Sequence, residues 1–236
     1  MLLRVTTKGV WISVVTCAVL VTAGCGKSTD SKAVSGAPQP STPRDQLVLT
    51  AAEFPAGTKP LDLPPDKLRS SVTDLGDIMA NSTVTPPECR GPQVDLAALT
   101  NDLLGDSAIA AAATADMDVY IEFVSAKTLD LNLMMDTNTK CAHLTSTSTV
   151  DGKQVNTTVD MEKLPALNGV DSVAYRATST SVLPGAAPMT RTAFQGWATL
   201  RGLTVTARSA ALSGVPDQTA FEKFFTAAVE KVRTAK

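Results

Sequence analysis

Apolar and polar positions alternate with two different periods along this chain, and the change of period marks its elements. Leu68, Val72, Leu75 and Ile78 recur at helical spacing after Pro64-Pro65-Asp66, which predicts a helix over about residues 66–81. A second, shorter helix is expected around Leu96, Leu99 and Leu103. The period then drops to two: Met117, Val119, Ile121 and Phe123 alternate with Asp118, Tyr120 and Glu122, the pattern of a half-buried strand. Residues 126–140 fit both templates, since Leu129, Leu131 and Leu133 alternate while Leu131, Met134 and Cys141 share a helical face. We read this stretch as helix. Asp151-Gly152 between a Thr/Ser-rich run and Val155, Val159 and Met161 predicts a hairpin. A strand comes next over 173–182, and a second hairpin joins 194–200 to 203–208 through Arg201-Gly202. The chain closes with Asp217 as helix cap and Phe221, Phe224, Phe225, Ala228 and Val232 on one stripe. Together these predict an α+β fold: an antiparallel sheet of about five strands, two or three N-terminal helices, and a C-terminal amphipathic helix packed on the sheet.

The first residues obey neither period. Arg4 and Lys8 precede an uncharged apolar run from Val10 to Val21, shorter than the ~20 residues a spanning helix needs but ample for a secretory signal. Small residues Ala23 and Gly24 come next, then Cys25. Val21-Thr22-Ala23-Gly24-Cys25 resembles the lipobox of bacterial lipoproteins, with Thr22 where Leu is commonest. The resemblance implies cleavage after residue 24, a thioether-linked diacylglycerol on Cys25, and attachment to the outer face of the cell membrane. Two or more acyl chains anchor stably where one does not. Plain cleavage with a free Cys25, or an uncleaved anchor, are the alternatives.

The cleavage point divides the remaining chain into two parts. Residues 25–45 are rich in Ser, Thr, Pro, Gly and Ala and have little to bury, so they are expected to form a tether. Residues 46–236 are left as a single globular domain. Of the 236 residues, removal of 1–24 leaves 212 and takes away Arg4 and Lys8, so 21 basic against 23 acidic residues becomes 19 against 23. A net charge near −4, with no basic run, argues against nucleic acid as a partner. An aromatic content of 4% requires a core built mainly from Ala, Val and Leu.

Cysteine usage changes in the same way. Cys17 lies in the apolar run and Cys25 takes lipid, which leaves Cys89 and Cys141 to pair as a disulfide outside the cytoplasm. A metal site is disfavoured because zinc takes three or four ligands and His143 is the only histidine. No cofactor is expected.

Candidate catalytic motifs fail on physical grounds. Gly26-Lys27-Ser28 looks like the end of a phosphate loop, yet the first glycine of that loop would stand at Val21. Gly105-Asp106-Ser107 resembles a hydrolase nucleophile block, but the aspartate expected three residues before His143 is Lys140, and no Gly-x-Ser-x-Gly elbow is present. Asp116 with Asp118, and Asp160 with Glu162, occupy alternate positions expected to face water. No catalytic residue is assigned.

Leu47-Val48-Leu49, Phe54-Pro55-Ala56-Gly57, Pro86-Pro87-Glu88-Cys89 and the run from Trp197 to Arg208 into the phenylalanine helix resemble mycobacterial-type envelope lipoproteins of unknown function. Their domain is similar to the extracytoplasmic sensor domain of certain serine/threonine protein kinases. The resemblance implies an antiparallel sheet backed by helices, a ligand cleft and no enzymatic activity. Kinase sensor domains of this type carry two disulfides and this chain can form one, so no ligand residue carries over. The expected function is non-catalytic binding of a small molecule, lipid or envelope protein. A glycolipid or acyl-lipid carrier with a cavity near Ala108–Ala115, or a hydrolase using Ser107 or an acidic pair, are the alternatives.

Overall fold

The computed structural model describes residues 38–150, 152–211 and 214–236, apart from the side chains of Leu75, Gln93, Leu96 and Ala97. Cys25 and the expected signal peptide lie outside the described residues, as does Asp151 of the first hairpin turn. The elements in chain order are β1 (Lys59–Pro60), α1 (Pro65–Ala80), β2 (Thr83–Thr85), α2 (Arg90–Gly105), β3 (Ser107–Ala113), β4 (Asp118–Ser125) and α3 (Leu131–Lys140). They continue with β5 (His143–Val150), β6 (Lys153–Leu164), β7 (Asp171–Val182), β8 (Met189–Leu200), β9 (Leu203–Ala211) and α4 (Gln218–Thr234).

All nine strands described pair antiparallel in one sheet of order β1-β3-β4-β9-β8-β7-β6-β5-β2. The expectation of about five strands is corrected. The extra strands are those with the weakest local signal: β1 and β2 have two and three residues at the sheet edges, and β3 is Ser-Ala-Ile-Ala-Ala-Ala-Ala. Alanine is a poor strand former on its own, and its place here is decided by its neighbours. Very short edge strands also blunt the open ladder that a long edge would offer to another chain.

Helices cover both faces. Tyr120 and Phe123 point to opposite sides of β4 by the two-residue period. Tyr120 packs edge-on against Phe224 of α4, with ring centroids 5.4 Å apart, whereas Phe123 packs with Val72 of α1 and Leu103 and Leu104 of α2. Leu131 and Met134 of α3 join the second face through Val173, Tyr175 and Trp197. The phenylalanine stripe of α4 is buried as its spacing predicts, with Phe221 stacked on Phe194 at 5.5 Å. Gly196 of β8 permits this close approach: a Cβ there would lie 2.6 Å from the Phe225 ring.

Caps and turns obey the local chemistry. Asp217 accepts the Thr219 and Ala220 amides, and Asp130 accepts those of Asn132 and Leu133 at the start of α3. Arg201 and Gly202, at φ 51° and 73°, form the two-residue turn between β8 and β9 that left-handed conformations allow. α2 spans 16 residues, the same as α1, and is not the shorter helix the leucine spacing suggested. Cys89, just before α2, is bonded to Cys141, just after α3, and the pair is buried with Val84 and Leu144.

Part of the expected tether is described. Residues 38–45 run against the domain: the Ser41 and Thr42 amides donate to the Lys236 carbonyl at 2.7 and 3.2 Å, and Arg44 pairs with Asp106.

Candidate functional site

The segment from Leu47 to Phe54 packs on the α4 face of the sheet. Leu47, Leu49 and Phe54 are buried there with Tyr120 and Phe224, because a peptide of this apolarity gains by covering the end strands that α4 leaves open. Beneath it lies Glu122 of β4, fully buried. Its register partners are Ala110 and Ala207, whose small side chains leave room for a carboxyl. Oε2 accepts the Leu49 amide at 2.9 Å, and Oε1 has no hydrogen-bond partner.

Burial pushes the Glu122 carboxyl up to about 8; the Leu49 hydrogen bond and the positive charge of Lys231 offset part of that desolvation, and Glu53 adds to it. Glu53 lies close by in the opposite regime. Its Oε2 accepts from Lys231 Nζ at 2.6 Å and from the Thr50 amide and hydroxyl at 2.7 and 2.8 Å, and these donors, led by Lys231, hold its carboxyl down at about 2. Two carboxylates in one neighbourhood are thus driven apart, one by desolvation and one by donors.

Beside this cluster a half-open groove of about 250 Å³ lies between Leu49 and Phe54, the Pro60–Leu63 strand extension and the Ile109–Ala111 stretch of β3. Leu49 lines the groove and also donates to Glu122; Ala110 lines it and stands opposite Glu122 in the ladder. Asp62 lines the groove among residues of apolar type, and the surface they together expose to it is more polar than apolar. The volume falls short of the roughly 300–1,000 Å³ common for drug-sized ligands.

The structure separates the residues that a hydrolase would have to unite. Ser107 on β3 donates its hydroxyl to the Leu103 carbonyl. His143 on β5 meets Asp160 at 2.6 Å, both well exposed. β3 and β5 are six positions apart in the sheet, roughly 29 Å at ordinary strand spacing. Asp160 and Glu162 are exposed as expected, with Glu162 near Arg176 at 3.8 Å. Asp118 is not the fully wet residue the alternation suggested: partial burial, then Asp116 and Asp217, raise its carboxyl. Among the described residues no group of three or more His, Cys, Asp or Glu is placed to hold a metal ion. None of the helices described is long and apolar enough to cross a membrane.

Glu122 escaped the strand pattern because alternation alone places it on the polar side. The signal that could have found it is local: Tyr120 and Val124 flank it on its own face, an apolar context for a carboxylate.

No family model matches the chain, and no curated protein matches it. Among solved structures it is similar to an uncharacterized protein from Mycobacterium smegmatis, at 14% identity and TM-score 0.42, covering 78% of this chain and 93% of that one. It is also similar to the extracellular domain of PknH from Mycobacterium tuberculosis, at 14% identity and TM-score 0.46, covering 83% of this chain and 98% of that one. At this identity neither likeness assigns a role to any residue here.

Proposed function

We propose that the chain is a cell-envelope lipoprotein, cleaved before Cys25 and held by acyl chains on that residue at the outer face of the cell membrane. Its domain, residues 46–236, binds a ligand or partner without catalysing a reaction. The lipobox-like junction supports the address, and the groove beside Leu49 and Phe54 supports the binding role. With Leu61, Asp62 and Leu63 among its lining residues and both polar and apolar surface exposed, the groove suits a small, partly apolar molecule or a short peptide segment. A carrier of whole acyl chains would need a larger enclosed space.

Native mass spectrometry of the protein from its own envelope, beside a Cys25→Ala variant, tests both parts. An acyl mass increment present in the wild type and absent from the variant is the expected result for the anchor; equal N-terminal masses would refute it. A non-covalent adduct on the domain, lost in a Leu61→Trp variant that fills the groove, is the expected result for binding. An adduct that survives Leu61→Trp would place the ligand elsewhere.

A further inference from the structure

The chain enters the described domain at one end of the sheet and is fastened there. Arg201, in the β8–β9 turn, donates from Nε to the Pro38 carbonyl at 2.8 Å. Its Nη1 faces the carbonyls of Val232, Arg233 and Ala235 at 3.1, 3.3 and 2.5 Å, the free acceptors at the end of α4. A guanidinium at a helix C-terminus also suits the helix dipole. The Thr42 hydroxyl joins the Ser41 and Thr42 amides on the Lys236 carbonyl, so residues 38–42, the Arg201 turn and the last turn of α4 form one unit.

We propose that this end of the domain is the surface apposed to the phospholipid headgroups, with the β5–β6 and β7–β8 hairpins pointing away from the bilayer. The inference rests on the proposed lipidation of Cys25. Thirteen residue steps separate Cys25 from Pro38, and even drawn fully out they reach at most about 45 Å. Leu164, at the end of β6, pairs with Ala174 of β7, and Asp171 at the start of β7 pairs with Thr199 beside the Arg201 turn, so all lie at the fastened end. From there the 12 residues of β6 rise roughly 40 Å to the β5–β6 turn. Setting that far turn on the bilayer would use almost the whole contour of the connection laid back along the domain. Setting the fastened end on it uses almost none.

Charge does not choose the orientation. Arg233 pairs with Glu230, Lys231 with Glu53, and Asp171 is exposed at the same end as Lys236. The partner is therefore a headgroup surface as such, and the covalent connection sets which side meets it.

The test uses the full lipidated protein in phosphatidylcholine vesicles carrying headgroup nitroxide, with and without phosphatidylglycerol, and a fluorophore on Thr234→Cys or Lys153→Cys. Several-fold stronger quenching at 234 than at 153, on both vesicle types, is expected. Equal or reversed quenching on anchored protein would overturn the orientation while leaving the anchor standing. Absence of both acyl mass and vesicle association would overturn the anchor and the orientation with it. Inserting about 40 Gly/Ser residues between Ser35 and Gly36 lengthens the connection well beyond the domain and should shrink the difference; an unchanged difference would overturn its cause.

Discussion

Glu122 Oε2 accepts the Leu49 amide at 2.9 Å inside the core, and this one bond joins the fourth strand of the chain to the segment that covers it. The other carboxyl oxygen has no partner and is the natural seat of a proton.

This arrangement makes stability fall with rising pH. Below the ordinary glutamate range, near 4.5, folded and unfolded Glu122 are both protonated and the buried neutral acid is fully accommodated. As pH rises toward about 8 the unfolded chain ionises while the folded residue stays neutral, so folding must hold a proton that the unfolded state has released. A whole proton difference corresponds to about 1.4 kcal/mol per pH unit. Urea titrations from pH 5 to 9 should show stability declining and then levelling above about 8. Glu122→Gln keeps an acceptor for Leu49, removes the titration and should flatten that slope; an unchanged slope would assign it elsewhere.

Gly196→Ala should destabilise the domain by roughly 1–3 kcal/mol, the usual cost of overpacking a filled core. The added methyl meets the Phe225 ring at 2.6 Å, and that ring is held between β8 and Phe221, with little space to withdraw. Thermal unfolding of Gly196→Ala beside the double variant Gly196→Ala, Phe225→Leu checks this. The smaller partner should recover part of the loss.

Cys89 and Cys141 close a loop across a sequence separation of 52, which on the chain-entropy account stabilises the fold by roughly 4 kcal/mol. Replacing both by Ser should lower the denaturant midpoint accordingly. Hydrogen exchange in the variant should rise first in α2, α3 and β2, the elements nearest the link, and leave the β8–β9–α4 layer protected.

Asp217→Ala should cost about 1 kcal/mol, since two amides of the first turn of α4 lose their acceptor. Asp217→Asn should keep most of the cap. Equilibrium unfolding of the three proteins at neutral pH gives the comparison.

The elements that were legible in the sequence are those whose signal is local. α4 needs only an Asp at its cap and apolar residues every three or four positions, and these give the same helix wherever it docks. The β8–β9 hairpin is fixed by a turn that accepts positive φ at Arg201 and Gly202 between two alternating runs. α3 is decided by its Asp130 cap, which breaks the tie that leucine alternation left open.

What the sequence by itself determined is therefore the set of strong helices and hairpins. Tertiary structure alone decided that alanine-rich residues 107–113 form a strand, because their pairing with β1 and β4 supplies what alanine lacks in propensity. It alone decided that Glu122 is core and not surface, because alternation tells the two faces of a strand apart but not which of them a distant segment will cover. And it alone fixed residues 38–42 to the end of α4, since a hydrogen bond between positions 38 and 201 leaves no trace in the pattern of either.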